Sequence, residues 1–155
     1  MSIEALHDWM VKHRKTLALA ESCTGGFMAS QLTAMPGASE YFLGSIVSYA
    51  NQLKVDLLGV SEETLKNHGA VSKEVVHEMW TGLMRKTGAD YGIAVTGIAG
   101  PKGGTSEKPV GTVVYAIGKT GEMPEISTLH VKGNRQTVIL QATQSLFGLL
   151  LKKIL

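Results

Sequence analysis

A serine stands near the start of the chain where a predicted strand meets a predicted helix. The apolar run Leu17–Ala20 favours a strand, and the segment that follows Gly25 and Gly26 has the composition of a helix. A tight turn of this kind lifts one side chain above the end of a sheet and surrounds it with backbone N–H groups that lack partners. Ser22 is the side chain in that place, and we interpret it as a candidate nucleophile.

The alternative for this turn is that Ser22 or Thr24 caps the following helix. Serine and threonine are common N-cap residues because their oxygen accepts a hydrogen bond from a free N–H group in the first turn. Local sequence alone favours capping. If Ser22 is instead the nucleophile, the backbone N–H groups of residues 23–26, those of Thr24, Gly25 and Gly26 among them, would bind an oxyanion or a phosphate.

A serine nucleophile needs a base, because a free hydroxyl reacts poorly at neutral pH. None of the five histidines is an obvious partner for Ser22, whereas Lys54 is the only charged residue on a predicted helix face formed by positions 50, 53, 54, 57 and 58. Desolvation on that face would lower the pKa of Lys54 and leave an amine that can accept a proton. The alternative is that the Lys54 side chain extends past the face to solvent, as long amphipathic side chains commonly do.

A long glycine-rich loop is predicted to follow the strand that ends at Thr96 and Gly97. Loops as long as residues 97–109 are usually functional or disordered, so this one is a candidate cover for a ligand. The spacing matches neither a Walker A loop nor a Rossmann dinucleotide motif. No cluster of His, Cys, Asp and Glu has the spacing of a metal site, and we expect no metal and no cofactor.

Arg135 occupies an unfavourable position in the last predicted helix. If Asn134 is the N-cap, Arg135 falls in the first turn, where the helix dipole disfavours a cation. A bound phosphate would offset that cost, and a solvated arginine is the alternative. Cys23 also stands beside a predicted helix N-terminus, but without a second cysteine or a paired histidine we interpret it as a small packing residue.

The order of elements predicts one α/β domain over residues 1–155, a three-layer α/β/α sandwich around a mixed, mainly parallel sheet. Ligands of such sheets bind beyond the carboxyl ends of the strands, so residues 21–26, 49–54 and 96–109 should converge there. The predicted helices cover residues 2–14, 24–35, 50–59, a short segment from Ser61, 72–88 and 135–155, and the predicted strands cover 17–22, 41–49, 90–96, 110–117 and 126–131.

Composition excludes several classes of protein. The 155 residues carry a net charge of +2 with dispersed Lys and Arg, which argues against a nucleic-acid-binding surface. The single cysteine excludes an internal disulfide framework and fits a reducing cytoplasm. No apolar run reaches the roughly 20 residues of a membrane span, and the N-terminus lacks the pattern of a signal peptide. We therefore expect a soluble, cytoplasmic protein that binds neither nucleic acid nor membrane.

Six segments together resemble the CinA C-terminal domain family, over nearly the whole chain. They are Ala20–Gly26, Ser48–Lys54, His68–Ser72, Thr96–Pro101, Lys108–Thr112 and Gly133–Arg135. The resemblance implies a nicotinamide-nucleotide amidohydrolase, which converts nicotinamide mononucleotide and water to nicotinic acid mononucleotide and ammonia in pyridine nucleotide salvage. It also implies a homo-oligomer, and exposed apolar positions on the helices 72–88 and 135–155 are the expected contact surfaces. The chain resembles a stand-alone version, without the larger N-terminal domain of full-length members.

The resemblance assigns roles to particular residues. Ser22 and Lys54 match the catalytic pair, and Tyr49 is expected to relay the proton between Lys54 and the leaving ammonia. Arg135 is expected to hold the phosphate of the substrate. The remaining residues expected to bind substrate are Thr24, Gly25, Gly26, Asn51, Thr96 and Gly97.

This chain departs from the family pattern at three positions of its last segment. Asn134 replaces the usual aspartate, and Ile139 and Leu140 stand where members often have two arginines. If that pair holds phosphate or a subunit contact, affinity or assembly would differ here. Two further hypotheses stay open: a non-catalytic module that binds a nucleotide or a protein partner, and a serine amidase with another substrate.

Overall fold

The computed structural model describes residues 2–155 and contains one five-stranded sheet at its centre. The strands are β1 (Leu17–Glu21), β2 (Phe42–Val47), β3 (Tyr91–Gly97), β4 (Thr112–Lys119) and β5 (Glu125–His130), and their order in the sheet is β2-β1-β3-β4-β5. β1 is parallel to β2 and β3, and β4 is antiparallel to both of its neighbours. Four strands thus share one direction, and the mixed, mainly parallel sheet is confirmed.

Helices cover both faces of this sheet. They are α1 (Ile3–His13), α2 (Phe27–Thr33), α3 (Asn51–Leu58), α4 (Glu62–His68), α5 (Lys73–Thr87) and α6 (Arg135–Ile154), with one short 3₁₀ turn at Ala38–Glu40. One buried cluster joins α1, α2 and α6 to the sheet, and a second joins α3 and α5 to its other face. The predicted three-layer α/β/α sandwich is therefore confirmed. No helix within residues 2–155 is long and apolar enough to cross a membrane.

Three helices begin with a side-chain cap, and one of these, Asn134, was considered from the sequence. The side chains of Ser61, Ser72 and Asn134 accept hydrogen bonds from the first turns of α4, α5 and α6. Each cap satisfies a backbone donor that the helix itself cannot pair. The helix predicted over residues 24–35 is shorter, because Gly26 is its N-cap in a left-handed conformation and α2 begins only at Phe27.

The apolar surface differs from the predicted one. The apolar side chains of α5 are buried in the core, and the large exposed apolar residues of the C-terminal segment are Leu140 of α6 and Leu155 just after it. Exposed large apolar residues concentrate instead on the edge strand β2 and on the segment that follows it; these are Leu43, Val47, Tyr49, Leu53 and Leu57. The helix faces expected to mediate self-association are thus mostly internal, and self-association itself stays a prediction.

A glycine allows the close approach of α3 and α5. A Cβ atom at Gly82 of α5 would overlap the carbonyl oxygen of Leu58 at the end of α3. Gly148 of α6 differs, because nothing lies within 4 Å of a Cβ built there. Since α3 carries Lys54, the contact at Gly82 also sets the position of a predicted site residue.

We expect Gly82→Ala and Gly148→Ala to change stability in opposite directions. Alanine at 82 forces two packed elements apart, which costs about 1–3 kcal/mol of unfolding free energy. Alanine at 148 fills open space inside a helix and should stabilise it by up to about 1 kcal/mol. Urea denaturation of the two variants beside the parent protein measures both. Equal effects of the two substitutions would contradict this account of the packing.

Candidate active site

A cavity of about 270 Å³ lies beyond the carboxyl ends of β1, β2 and β3. Segments from all three predicted regions line it, as expected for an open α/β sheet. Of the ten predicted site residues, all but Thr24, Gly25 and Gly26 line it. The lining residues are Ser22, Cys23, Tyr49, Asn51, Lys54, Ala70, Val71, Thr96, Gly97, Ile98, Ala99, Gly100, Lys102, Gly103 and Arg135.

The turn after β1 is held by the fully buried carboxylate of Glu21. One carboxylate oxygen accepts hydrogen bonds from the Thr24 hydroxyl at 2.7 Å and from the N–H groups of Gly26 and Met28 at 3.2 and 2.9 Å. The other accepts from the Ala29 N–H at 3.2 Å and from the Ser45 hydroxyl of β2 at 2.7 Å. Glu21 therefore satisfies the first N–H groups of α2, and the capping alternative for Ser22 and Thr24 is wrong.

This arrangement narrows the set of donors predicted for an oxyanion. The Gly25 N–H donates to the Ser22 carbonyl oxygen at 3.0 Å, and the Gly26 N–H is bonded to Glu21. Within residues 2–155, only the N–H groups of Cys23 and Thr24 remain without an acceptor in this turn. Thr24, Gly25 and Gly26 thus shape the turn rather than line the cavity, and Gly25 and Gly26 adopt left-handed φ angles of 55° and 99° to do so.

Ser22 is fixed by its backbone and free at its hydroxyl. Its N–H donates to the Val95 carbonyl oxygen of β3 at 3.1 Å, which anchors the residue to the sheet. No group within the described chain hydrogen-bonds its Oγ. The residue is only 7% exposed, yet it lines the cavity. Its hydroxyl is open to a ligand in the cavity and has no hydrogen bond to the Lys54 Nζ, which donates to the Ser48 and Tyr49 carbonyl oxygens instead. Contacts between a nucleophile and its base are often looser before substrate binds.

Lys54 is buried, with 1% of its surface exposed. Its Nζ donates hydrogen bonds to the carbonyl oxygens of Ser48 at 2.8 Å and Tyr49 at 3.1 Å. The alternative that Lys54 extends to solvent is therefore wrong. The predicted apolar face divides in two, because Leu58 is buried beside Lys54 while Leu53 and Leu57 are exposed on the other side of α3.

Burial lowers the pKa of Lys54, because the ammonium form loses its hydration. Burial also raises the pKa of Cys23 to about 12, so its thiol is neutral at pH 7 and supplies no negative charge to Lys54. A neutral amine has two N–H groups and one lone pair. The carbonyl groups of Ser48 and Tyr49 accept the two N–H groups, which leaves the lone pair for a proton from the cavity.

Arg135 joins three parts of the site. It is the first residue of α6, behind the Asn134 cap, so its predicted place in the first turn is confirmed. Its Nη1 donates to the Gly100 carbonyl oxygen at 2.7 Å and its Nη2 to the Tyr49 hydroxyl at 2.8 Å. The Tyr49 ring is 58% exposed, and its hydroxyl is hydrogen-bonded to Arg135 and not to Lys54. The Tyr49 hydroxyl, through which the proton relay was predicted, therefore has no hydrogen bond to the Lys54 amine in this structure.

Thr96, Gly97 and Asn51 form other parts of the wall. The buried Thr96 hydroxyl donates to the Ala70 carbonyl oxygen at 3.0 Å, which holds the segment before α5 against the cavity. A Cβ at Gly97 would lie 2.8 Å from the Thr112 carbonyl oxygen and 3.1 Å from the Cys23 Sγ, so only glycine fits. Asn51 is exposed at the start of α3 and lies on the rim.

Sequence reasoning missed the capping role of Glu21 and the place of Lys102 in the cavity wall. No sequence pattern pointed to Glu21. A carboxylate that caps a helix normally stands at the N-cap position or in the first turn, whereas Glu21 is the last residue of the preceding strand. Lys102 did have a signal, because it is a cation within the glycine-rich loop that was expected to cover a ligand. Ala70 and Val71 fall in one of the six family-like segments but were not assigned to the site.

The cavity wall contains neither a histidine nor a carboxylate. Within residues 2–155, no group of three or more His, Cys, Asp and Glu side chains is placed to hold a metal ion. Of the ionisable groups in the wall, Lys54, Lys102 and Arg135 are basic. The chemistry available to this site therefore comes from a hydroxyl, a buried amine and two cations.

Comparison with known proteins agrees with this geometry. Residues 2–154 match the CinA C-terminal domain. The chain belongs to this family. A CinA-like protein of Desulfosudis oleivorans is 57% identical over 123 residues, which are 79% of this chain and 29% of that protein. A CinA-like protein of Thermotoga maritima is 61% identical over 104 residues, 67% of this chain and 26% of that protein. The chain thus spans under a third of the length of these curated relatives.

Solved structures of CinA superfamily members share the whole fold. The competence damage-inducible protein A of Klebsiella pneumoniae has a TM-score of 0.93 at 34% sequence identity, with 97% of this chain and 93% of that chain covered. The competence/damage inducible protein of Agrobacterium tumefaciens has a TM-score of 0.90 at 33% identity, with 98% of each chain covered. The family and the fold implied by the sequence resemblance are both confirmed.

We expect Glu21→Ala to destabilise the protein by about 3 kcal/mol or more, because several buried donors lose their only acceptor. Glu21→Gln keeps one acceptor oxygen and should cost less. Glu40→Ala, at an exposed glutamate whose side chain forms no hydrogen bond within residues 2–155, is the matched control and should change stability by under about 0.5 kcal/mol. Thermal and urea unfolding measure all three. A neutral Glu21→Ala would contradict the structural role of the carboxylate.

Proposed function

We propose that the chain hydrolyses the carboxamide of nicotinamide mononucleotide, which yields nicotinic acid mononucleotide and ammonia. The observation that carries the proposal is the cavity itself: a serine hydroxyl without a hydrogen bond and a buried lysine with a lowered pKa line the same wall. Serine with a neutral lysine is a known form of the activated nucleophile. Arg135 at the same cavity supplies a cation for a phosphate.

In the proposed first step, the neutral Lys54 amine takes the proton of Ser22 as Oγ attacks the carboxamide carbon. The oxygen of that group becomes an oxyanion, and the free N–H groups of Cys23 and Thr24 are the donors best placed to stabilise it. Lys54 then returns the proton to the leaving nitrogen, and ammonia departs from an acyl-enzyme at Ser22. Water attacks the ester, and the same amine acts as the base.

The other end of the cavity suits the phosphate of the nucleotide. Arg135 uses two N–H groups on Gly100 and Tyr49, which leaves three of its five donors. A cavity of about 270 Å³ is small for a ligand site, since such sites usually measure about 300–1,000 Å³. Its size supports a mononucleotide in preference to a dinucleotide. In this account Tyr49 has two positioning roles. Its hydroxyl accepts a hydrogen bond from Arg135, and its carbonyl oxygen accepts one from Lys54.

We also propose a metabolic role and a cellular compartment for this reaction. The reaction belongs to pyridine nucleotide salvage, and we place it in the cytoplasm, where a protein with one unpaired cysteine stays reduced. We further propose a homo-oligomer. The exposed apolar residues of β2 and α3 support such a contact better than the helix faces named from the sequence.

Replacement of the two reacting groups tests the chemistry. We expect Ser22→Ala to lower kcat for ammonia release from nicotinamide mononucleotide by about 10³-fold or more, because the nucleophile is lost. Lys54→Arg should be similarly impaired, since a guanidinium stays protonated and cannot act as a base. Ser39→Ala, at an exposed serine away from the cavity, should keep the parent rate.

Ammonia release by the parent protein separates the two main hypotheses. A binding module of the same fold would bind the nucleotide and release no ammonia. A serine amidase with a different substrate would show Ser22-dependent hydrolysis of another amide and no preference for the mononucleotide. Full turnover by Ser22→Ala would contradict the serine mechanism itself.

The lowered pKa of Lys54 predicts the direction of the pH profile. Lys54 acts as a base only when it is deprotonated, so kcat/KM should rise with pH through the Lys54 pKa and then level off. Because burial lowers that pKa, the midpoint should lie below the ordinary value of 10.5. Initial rates between about pH 7 and pH 10 measure it. A decline with rising pH in this range would contradict a neutral lysine base.

A further inference from the structure

The wall of the cavity carries positive charge without a compensating acid. Lys54, Lys102 and Arg135 line it, and no aspartate or glutamate does. Lys54 is 1% exposed and donates to the Ser48 and Tyr49 carbonyl oxygens, so it is the least accessible of the three, whereas Lys102 and Arg135 are exposed. Lys102 and Arg135 are therefore the two cations that an anionic ligand would meet.

Lys102 is free to bind such a ligand. Its side chain is exposed, and nothing in the part of the chain that the structure describes forms an ion pair or a hydrogen bond with it. Several other lysines also lack a side-chain partner within residues 2–155, but Lys102 is the one among them that lines this cavity. Lys102 therefore breaks no ion pair or hydrogen bond with the protein when it turns toward a ligand, and the main cost is the conformational entropy of its side chain.

The loop between β3 and β4 holds Lys102 near Arg135. The Ile98 N–H donates to the Thr112 carbonyl oxygen at 2.9 Å and the Gly111 N–H to the Ile98 carbonyl oxygen at 2.7 Å, which closes the base of the loop. Nearer the tip, the Arg135 Nη1 donates to the carbonyl oxygen of Gly100, two residues before Lys102. Arg135 thus contacts the backbone that presents Lys102.

Glycines fix the shape of the same loop. A Cβ at Gly104 would lie 2.7 Å from the Val110 backbone nitrogen, and one at Gly100 would overlap the Val110 side chain. The backbone at Gly100 and the backbone at Gly104 therefore both pack directly on Val110, and Lys102 lies between these two glycines in the sequence. This packing limits how far the tip can move away from α6.

We propose that Lys102 and Arg135 together bind the terminal phosphate of the substrate. The inference rests on the proposed function and adds to it a second phosphate-binding residue. Two cations at one end of the cavity favour a phosphomonoester, which carries close to two negative charges at pH 7. The site then selects mononucleotides over nucleosides, which lack the phosphate, and over dinucleotides, whose bridging phosphates each carry a single charge.

Binding of ribose 5-phosphate measures the role of Lys102 without any amide chemistry. We expect Lys102→Met to weaken its affinity, measured by titration calorimetry, by about 10-fold, which corresponds to one charge-assisted hydrogen bond. Lys102→Arg should restore most of it. Lys12→Met is the matched control, because Lys12 is an exposed lysine of α1 that does not line the cavity, and this variant should bind as the parent does. The parent should also lose more affinity than Lys102→Met when salt is added.

Kinetics with two substrates then connect Lys102 to the reaction. For nicotinamide mononucleotide, Lys102→Met should raise KM about 10-fold and leave kcat within about twofold, the signature of uniform binding. For nicotinamide riboside, which has no phosphate, the parent and Lys102→Met should have the same kcat/KM.

The outcomes separate this inference from the function on which it rests. Equal affinity of the parent and Lys102→Met for ribose 5-phosphate overturns the role of Lys102, whatever the ammonia assay shows. No binding of ribose 5-phosphate by the parent overturns it as well. Weakened binding by Lys102→Met in a protein that releases no ammonia supports the phosphate site and contradicts the proposed reaction.

Discussion

The hydrogen bonds to the buried Glu21 carboxylate are the interaction on which the rest of the site depends. They join the end of β1 to the first turn of α2 and, through Ser45, to the neighbouring strand β2. A carboxylate at a helix N-terminus also interacts favourably with the helix dipole. Because Glu21 does the capping, Ser22 is released from it and keeps a free hydroxyl. One residue thus both builds the turn and leaves its neighbour available for chemistry.

Lys54 shows the opposite balance between stability and function. A buried amine without a carboxylate partner is unfavourable, and only two carbonyl groups compensate for the lost water. Such a group is unusual in a core, and perturbed ionisable groups concentrate at functional sites. The close packing of α3 on α5 at Gly82 holds Lys54 in this environment. The packing of α3 and α5 on this face of the sheet therefore keeps the Lys54 amine buried, although its burial is energetically unfavourable.

Much of the architecture was predictable because it follows from local patterns. Strand positions, the cap at Asn134 and the mixed sheet all come from apolar periodicity and turn chemistry. The convergence of Ser22, Lys54 and Thr96 followed from the rule that ligands bind at the carboxyl ends of strands. The cap of α2 was not predictable in this way, since its acceptor is the last residue of β1 and its donors lie within residues 24–29 and on a second strand.

The sequence alone determined the fold class, the family and the set of reactive side chains, because these depend on residue type, spacing and order. Only the tertiary structure decided how each group is used. It made Lys54 a buried amine, divided its predicted helix face, bonded the Tyr49 hydroxyl to Arg135 and brought Lys102 to the cavity. The physical reason is that desolvation and hydrogen-bond partners arise from segments far apart in the chain. A local pattern can place Ser22 in a turn, but long-range contacts determine whether its hydroxyl is free.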